Sequence, residues 1–391
     1  MLESIAIIIF VSLILASLAK RIHIPPLIFM MITGVILGPY ALDLIDGNIL
    51  LISADLRQIA LIVILLRAGL TLDLEDLKAV GRPALLLSFI PALMEIGILG
   101  IMGHILFDLD YARAFLLGSM VAAVSPAVIV PSMIHLIEKK IGTDKKIPQM
   151  ILAAASIDDV VVIVIFGSML LLVGGQTPNI PMALGIPLAV ILGAIFGIII
   201  GKFLVIFFRK FHMRDTVKIM ILFAFAFSMI YIQDILEEFI FISGLIAIMT
   251  LGMTIQNDHQ VLSFRLREKF SKLWVISEIM LFVLVGALLD IRVIGEVGLY
   301  AVIFIIIGVT ARMIGSWIST IKTTLNAKER LFTMFSYSPK ATVQAAIGGI
   351  PLMMGIAFGE EMLVIAVLSI FMTAPIGAIL IDQLSKKFLN Q

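Results

Sequence analysis

Long apolar runs separated by short polar stretches make up most of this chain of 391 residues. Hydrophobic residues are 61% of the sequence and charged residues 14%, whereas a soluble domain has about 45–50% apolar and about 25% charged residues. A run of about 20 apolar residues is long enough to cross a bilayer. Inside lipid each run must satisfy its own backbone hydrogen bonds, so we expect helices. The pattern predicts an all-α polytopic membrane protein.

The apolar runs number about 13, and we interpret each as one transmembrane helix. Their approximate limits are 3–19, 25–42, 51–70, 83–107, 111–136, 147–173, 181–208, 216–233, 238–256, 271–289, 297–320, 329–355 and 360–384. The third segment is the least regular, because Asp55, Arg57 and Arg67 interrupt it.

Basic residues test this count, because cytoplasmic loops of membrane proteins carry an excess of Lys and Arg. The odd-numbered loops and the C-terminal tail hold 21 basic residues, whereas the even-numbered loops hold three, namely Arg57, Arg113 and Arg292. The alternation predicts an N-terminus outside the cell and a C-terminus in the cytoplasm. Short loops and the absence of a targeting segment favour a prokaryotic plasma membrane, which is the inner membrane.

Composition also excludes several classes of protein. The chain has no cysteine, so disulfides and thiolate metal sites are excluded. It shows no basic, aromatic-rich patch of the kind that binds nucleic acid. The N-terminus lacks the basic start and cleavage site of a signal peptide, so we expect its first helix to be retained. The expected partner is membrane lipid, and no cofactor is expected.

Two adjacent acids, Asp158 and Asp159, lie in the otherwise almost entirely apolar segment 147–173. One charged side chain at the centre of a bilayer costs about 2.5–3.5 kcal/mol on insertion scales. Ionisable groups at this depth mark ion or proton pathways, so the pair predicts a site for a proton, a metal cation, or each in turn. The alternative is that one acid only neutralises a base on a neighbouring helix.

The fifth and twelfth segments carry similar interruptions, and each begins with Ser-Pro. The residues concerned are Ser125, Pro126 and Pro131 in VSPAVIVPS, and Ser338, Pro339, Gly348, Gly349 and Pro351 in YSPKATVQAAIGGIP. Proline removes a backbone donor and clashes with the preceding turn, so each helix should kink or unwind there. Harmless proline kinks are the alternative interpretation.

The two interrupted segments are seven apart, and seven is an odd number. The two copies therefore run in opposite directions, and segments one to six match segments eight to thirteen. An inverted repeat with broken helices is typical of secondary transporters, which bind their ions at the level of the breaks. The fold class predicted is thus about 13 helices in an inverted repeat with two broken crossing helices.

Few other ionisable residues lie deep in the segments, and their positions suggest pairs. Successive helical residues point about 100° apart, so one aspartate is expected to bind the cation and the other to pair with a base. Lys340 in the twelfth segment is the predicted base. Glu95 in the fourth segment and Arg312 in the eleventh are also seven segments apart and form the second predicted pair. Glu278 in the tenth segment is left without a role.

A small hard cation such as Na⁺ or Li⁺ needs oxygen ligands. Asp159 supplies carboxylate oxygens, Ser125 a hydroxyl, and the unwound fifth segment backbone carbonyls. Ser156 lies nearly one turn before Asp159 and is a further candidate, although a helical serine often bonds back into its own helix.

Four separated motifs resemble one known family over nearly the whole chain. They are RAGLTLD at 67–73, VSPAVIVPSM at 124–133, SIDDVVVI at 156–163 and SPKATVQAAIG at 338–348. The chain resembles the monovalent cation:proton antiporter superfamily and, within it, the NHA-type sodium/proton exchangers. It departs from many relatives in having Val124-Ser125-Pro126 where they have Thr-Asp-Pro.

The resemblance implies a core domain, here 83–173 and 297–384, and a dimerisation domain, here 1–82 and 181–289, in a homodimer. It also implies an elevator movement of the core. By position Asp159 looks like the principal cation and proton carboxylate, Asp158 like the second acid paired with Lys340, and Arg312 like the basic partner of Glu95.

The leading hypothesis is a secondary antiporter that exchanges Na⁺ or Li⁺ for H⁺, with both competing for Asp158 and Asp159. A sodium-coupled symporter of a small organic anion is one alternative, although these segments offer few polar groups for such a substrate. A non-enzymatic cation channel or sensor is another. An intramembrane aspartyl protease is excluded, because consecutive aspartates cannot converge on one peptide bond, so no enzymatic activity is expected.

Overall fold

The computed structural model describes residues 1–21, 24–71, 81–174, 182–236 and 242–389. All regular structure in these ranges is helical. The helices are α1 (Leu2–Arg21), α2 (Pro26–Leu37), α3 (Gly47–Leu51), α4 (Ser53–Thr71), α5 (Arg82–Phe107), α6 (Tyr111–Ala122), α7 (Pro126–Glu138), α8 (Ile147–Val173), α9 (Met182–Lys210), α10 (Asp215–Leu236), α11 (Gly244–Asp258), α12 (Gln260–Ala287), α13 (Ile291–Ser319), α14 (Ala327–Ser336), α15 (Thr342–Ile347), α16 (Ile350–Met353) and α17 (Gly359–Phe388).

The helices agree with the apolar segments of the sequence. Within the described ranges, nine candidate membrane spans are long and apolar enough to cross a bilayer, and two shorter apolar helices lie at Pro26–Leu37 and Thr342–Met353. The chain is therefore a multi-pass membrane protein. Each of the 13 predicted segments overlaps at least one helix, and the count of 13 crossings stays a prediction.

The fifth segment is broken where the sequence places Ser-Pro. Helix α6 ends at Ala122, and α7 begins at Pro126. Because a residue before proline is disfavoured in helical geometry, Ser125 is extended, with φ −98° and ψ 109°. Proline at the first position of a helix sacrifices no hydrogen bond, so Pro126 starts α7. Pro131 lies inside α7, which continues through it, so the helix is interrupted at Pro126 and not at Pro131.

The twelfth segment is interrupted in the same way. Helix α14 begins with a capping box, in which Asn326 and Glu329 each bond the other's backbone N–H, and it ends at Ser336. Residues 338–341, which include Pro339, are not helical. A second interruption at Gly348 and Gly349 separates α15 from α16. The backbone N–H of Ser125 donates to the Pro339 carbonyl at 2.8 Å, so the two breaks meet.

The described chain divides into two compact units. The first contains Met1–Arg57, Ala79–Gly174 and Glu278–Gln391, and the second contains Gln58–Lys78 and Gly175–Ser277. The first unit holds both broken segments and the acid pair. The predicted core and dimerisation domains group Met1–Arg57 differently, and that functional division stays a prediction.

Helix contacts in the first unit come in matched pairs, as an inverted repeat requires. Helix α5 packs on α6 and α8, and its counterpart α13 packs on α14 and α17. The contact of α8 with α14 is matched by that of α17 with α6, and α5 packs directly on α13. The repeat therefore brings the fourth, fifth, sixth, eleventh, twelfth and thirteenth segments together around the two breaks.

The second unit contains a closely packed helix pair, α9 against α11. Three glycines four residues apart, Gly193, Gly197 and Gly201, face α11. A Cβ at Gly197 would overlap the carbonyl oxygen of Ala247 and the hydroxyl of Thr250, and one at Gly201 would lie 2.7 Å from the Thr254 Cβ. Small residues at such spacing let membrane helices approach closely, because lipid provides no hydrophobic drive for their association.

We expect Gly197→Ala to lower the melting temperature of the purified protein in detergent, because its methyl group has no space against α11. Overpacking of this kind costs about 1–3 kcal/mol. Gly97→Ala is the matched control, since a Cβ at Gly97 has nothing within 4 Å and alanine is the better helix former. Equal melting temperatures for the two variants would contradict the close packing.

Candidate ion site

Five ionisable side chains form a buried cluster around the two breaks, which we term the charge cluster. They are Glu95 on α5, Asp158 and Asp159 on α8, Arg312 on α13, and Lys340 in the second break. Asp159 is 9% exposed, and the other four are 0% exposed. Charges so far from water remain only when ion pairs and hydrogen bonds compensate them.

Arg312 lies at the centre of the charge cluster. Its Nε donates to Glu95 Oε2 at 2.5 Å, and its Nη1 donates to Asp158 Oδ1 at 3.1 Å. Its Nη2 donates to the backbone carbonyl of Ala122. The planar guanidinium carries five donors in a fixed fork and can serve several acceptors at once. The predicted pair of Glu95 and Arg312 is therefore present, and Arg312 also holds an aspartate and the end of α6.

Lys340 has a different partner from the one predicted. Its Nζ lies 2.6 Å from both Glu95 Oε1 and Oε2 and 3.2 Å from the Ala122 carbonyl oxygen. The predicted ion pair with Asp158 is not formed, because Arg312 already occupies that carboxylate. Glu95 therefore pairs with both cations, and Asp158 pairs with Arg312, so these two acids together balance the two bases.

Asp158 uses both of its oxygens inside the protein. Oδ1 accepts from Arg312, and Oδ2 accepts from the backbone N–H of Val124 at 3.0 Å. That N–H belongs to the first break and would otherwise be unpaired in lipid. Thr373 on α17 does the same for the second break, since its Oγ1 accepts from the Lys340 backbone N–H at 2.8 Å. Asp158 thus holds the break in place.

Arg312 and Lys340 pair with Glu95 and Asp158 but not with Asp159, the third acid of the charge cluster. Its Oδ1 is buried without a hydrogen-bond partner, and the described residues place no cation in an ion pair with its carboxylate. Fully ionised, the charge cluster would contain two positive and three negative charges. One further positive charge is therefore needed for neutrality, and Asp159 is the group that would receive it.

The carbonyl groups at the C-terminal end of α6 are already occupied. The Nε2 of Gln344 donates to the carbonyls of Val121 and Ala123 at 2.9 and 2.8 Å. Arg312 and Lys340 bond the carbonyl of Ala122. Cations are favourable at this negative end of a helix dipole. Of the fifth-segment carbonyls predicted as ligands, those of residues 121–123 thus already bind protein donors.

Buried oxygens without a hydrogen-bond partner are frequent in the two breaks and their flanks. Within the described ranges, eight buried side-chain oxygens lack a hydrogen-bond partner, and six of these belong to Asp159 or to the breaks and their flanks. The six are Ser125 Oγ, Asp159 Oδ1, Ser336 Oγ, Tyr337 Oη, Thr342 Oγ1 and Gln344 Oε1. Such a set matches a hard alkali cation, which is bound by carboxylate, hydroxyl and amide oxygens. Ser125 was a predicted ligand, and its hydroxyl is free for that role.

Sequence reasoning missed Gln344, Tyr337 and Thr373. Gln344 is a lone amide inside an apolar stretch, and that pattern is visible in the sequence. The side chain of Ser156, which is a candidate ligand, lies outside the described part of the structure. The last two positions of the motif RAGLTLD, 72 and 73, also lie outside it. A search of the described residues finds no group of three or more His, Cys, Asp or Glu side chains that could hold a metal ion.

Comparison with known proteins gives consistent matches along the chain. Residues 6–387 match the family described as "Sodium/hydrogen exchanger, transmembrane". The chain is 32% identical over 395 residues to mouse sodium/hydrogen exchanger 9B2, covering 94% of this chain and 69% of the relative. It is 31% identical over 352 residues to the human protein of the same name, covering 87% and 65%. The chain thus spans about two thirds of the length of these relatives.

The fold also matches a solved structure, that of the sodium proton antiporter MjNhaP1 from Methanocaldococcus jannaschii at pH 8. The TM-score is 0.85, and the match covers 98% of this chain and 97% of the other. The two sequences are 19% identical, so this similarity concerns the fold alone.

Proposed function

Because the chain belongs to the sodium/hydrogen exchanger family, we propose that it is a secondary antiporter that exchanges Na⁺ for H⁺ across a membrane. The observation that carries the proposal is the state of Asp159. Arg312 and Lys340 neutralise Asp158 and Glu95, whereas the Asp159 carboxylate lacks a cation among the described residues. The exchange makes and breaks no covalent bond in a substrate other than those to the proton, so the protein is not an enzyme.

The proposed exchange follows from the single uncompensated charge. A proton or an alkali cation at Asp159 neutralises the charge cluster, and the two cannot occupy the same carboxylate together. Because they carry no net charge at the site, both loaded states have a lower free energy in lipid than the empty, charged state. The protein therefore changes its access to the two sides when loaded with one ion or the other, and exchange results. Asp158 keeps Val124 and Arg312 in position throughout.

The test is transport by the purified protein in proteoliposomes with an imposed pH gradient. Addition of Na⁺ is expected to dissipate the gradient, and Li⁺ is expected to act similarly, because both are small hard cations. The Na⁺ concentration for half-maximal rate should rise as pH falls, since protons compete for Asp159. A pH gradient that no alkali cation disturbs would overturn the proposal, and exchange that required an organic anion would favour a symporter instead.

The arrangement in the membrane is part of the proposal. The alternation of basic loops supports an N-terminus outside and a cytoplasmic C-terminus. We place the protein in the plasma membrane of a prokaryote as a homodimer that contacts lipid. Cysteines introduced at the two ends of the chain, which has none of its own, would report the orientation through labelling by a membrane-impermeant reagent. Crosslinking in native membranes would test the dimer.

A further inference from the structure

A buried tyrosine beside the charge cluster has an unused hydroxyl group. Tyr337 follows α14 at the start of the second break, and it is 0% exposed. Its backbone N–H donates to the Thr333 carbonyl, but its Oη atom has no hydrogen-bond partner. A buried hydroxyl without a partner destabilises a fold, because its lost hydrogen bond to water is not replaced. Phenylalanine would fill the same space without that loss, so the hydroxyl requires an explanation.

Tyr337 contacts the charge cluster through Arg312. Its ring lies 5.6 Å from the Cζ atom of Arg312, in a cation–π contact with the guanidinium that holds Asp158. Asp158 is followed directly in the chain by Asp159, whose carboxylate has no ion pair among the described residues. The phenol thus lies against the arginine that binds the neighbour of Asp159.

Asp159 Oδ1 and Tyr337 Oη are thus two buried oxygens without a hydrogen-bond partner, one in the charge cluster and one beside it. A phenol donates readily to a carboxylate, yet these two groups form no hydrogen bond with each other. A cation or a water molecule between them would satisfy both, because each oxygen has free lone pairs. A water would serve only as a bridge, whereas an alkali cation would use both oxygens as ligands.

We propose that the Tyr337 hydroxyl oxygen is a ligand of the transported alkali cation, shared with the Asp159 carboxylate. This inference rests on the proposed exchange of Na⁺ for H⁺. The neutral phenol adds no charge to the charge cluster, so it leaves the requirement for one further positive charge unchanged. A proton needs a single carboxylate oxygen, whereas a Na⁺ ion needs several oxygens around it. Tyr337 therefore favours the cation-loaded state over the protonated state.

The variant Tyr337→Phe tests the proposal, because it removes one atom and keeps the ring over Arg312. The Na⁺ concentration for half-maximal exchange is expected to rise about three- to tenfold at fixed pH, as the loss of one polar interaction implies. The maximal rate should change much less. Stabilisation of the purified protein by Na⁺ against heating should weaken in parallel, while its melting temperature without Na⁺ stays equal or rises. The ratio of Li⁺ to Na⁺ half-maximal concentrations should also change.

Ser12→Ala is the matched control, since Ser12 Oγ is another buried, unpartnered hydroxyl, on α1 and outside the charge cluster. It should leave the Na⁺ dependence unchanged. A Tyr337→Phe protein with unaltered half-maximal concentrations and unaltered Na⁺ protection would overturn the assignment and leave a bridging water. A variant that failed to fold would also contradict it, because the hydroxyl would then have a structural partner. Normal exchange by both the parent protein and the Tyr337→Phe variant would overturn only the ligand assignment, and the proposed exchange of Na⁺ for H⁺ would still stand.

Discussion

Asp159→Asn is expected to abolish Na⁺-driven proton movement in proteoliposomes while leaving the protein folded. The amide cannot take up a proton at neutral pH, and its neutral oxygen is a weak ligand for an alkali cation. The charge cluster would then be neutral without any transported ion, so neither ion would be required for the protein to change its access. Because Asp159 Oδ1 has no hydrogen-bond partner and the carboxylate no ion pair among the described residues, the fold should lose little, and its melting temperature should stay equal or rise.

Asp382→Asn is the matched control for this experiment. It makes the same chemical change at an exposed acid near the C-terminal end of α17, where Asp382 pairs with Lys386. Exchange by the control variant should be normal. Normal exchange by Asp159→Asn would remove this residue from the site, and a loss of folded protein would mean that its carboxylate holds the structure together.

Arg312→Met is expected to lower stability more than any other single change considered. The substitution leaves Asp158 without its ion pair, Glu95 with Lys340 alone, and the Ala122 carbonyl with one donor fewer. Removing one partner from a buried ionic group costs about 3–5 kcal/mol, because an uncompensated charge remains in the interior. The yield of monodisperse protein and its melting temperature in detergent would both fall.

Two further variants sharpen the result. Arg312→Lys keeps the charge, but its ammonium group cannot serve three acceptors as the fixed fork of a guanidinium does. Its melting temperature should therefore lie between those of Arg312→Met and the parent protein. Arg292→Met removes an arginine that bonds Asp290 with two nitrogens but is 82% exposed, and its stability should not change measurably. Equal stability of Arg312→Met and the parent would refute the network built around this residue.

Much of the fold could be predicted because lipid imposes simple rules on a sequence. The lengths of the apolar runs and the basic loops between them predicted the transmembrane segments, and each predicted segment overlaps a helix of the structure. The prolines located the breaks, since Pro126 and Pro339 forbid regular helix before them. The pairing of Glu95 with Arg312 also followed from the repeat, because equivalent segments in the two halves pack against each other across its axis.

The partner of Lys340 could not be predicted, because it depends on side-chain reach across an irregular backbone. Helical geometry indicates that Asp158 and Asp159 point about 100° apart, but it does not indicate which neighbour each one meets. In the structure Lys340 extends to Glu95, and Arg312 reaches Asp158. Gln344 and Thr373 bond main-chain atoms of the breaks, and those atoms become available only once the helices have unwound.

The hydrogen bond from the Ser125 backbone to the Pro339 carbonyl has a mechanical consequence. It is made entirely of main-chain atoms and joins the two halves of the repeat at their breaks. While it persists, the two interrupted segments are held together at their breaks. We therefore expect an opening toward either face of the bilayer to move the two breaks together, with the bound ion between them.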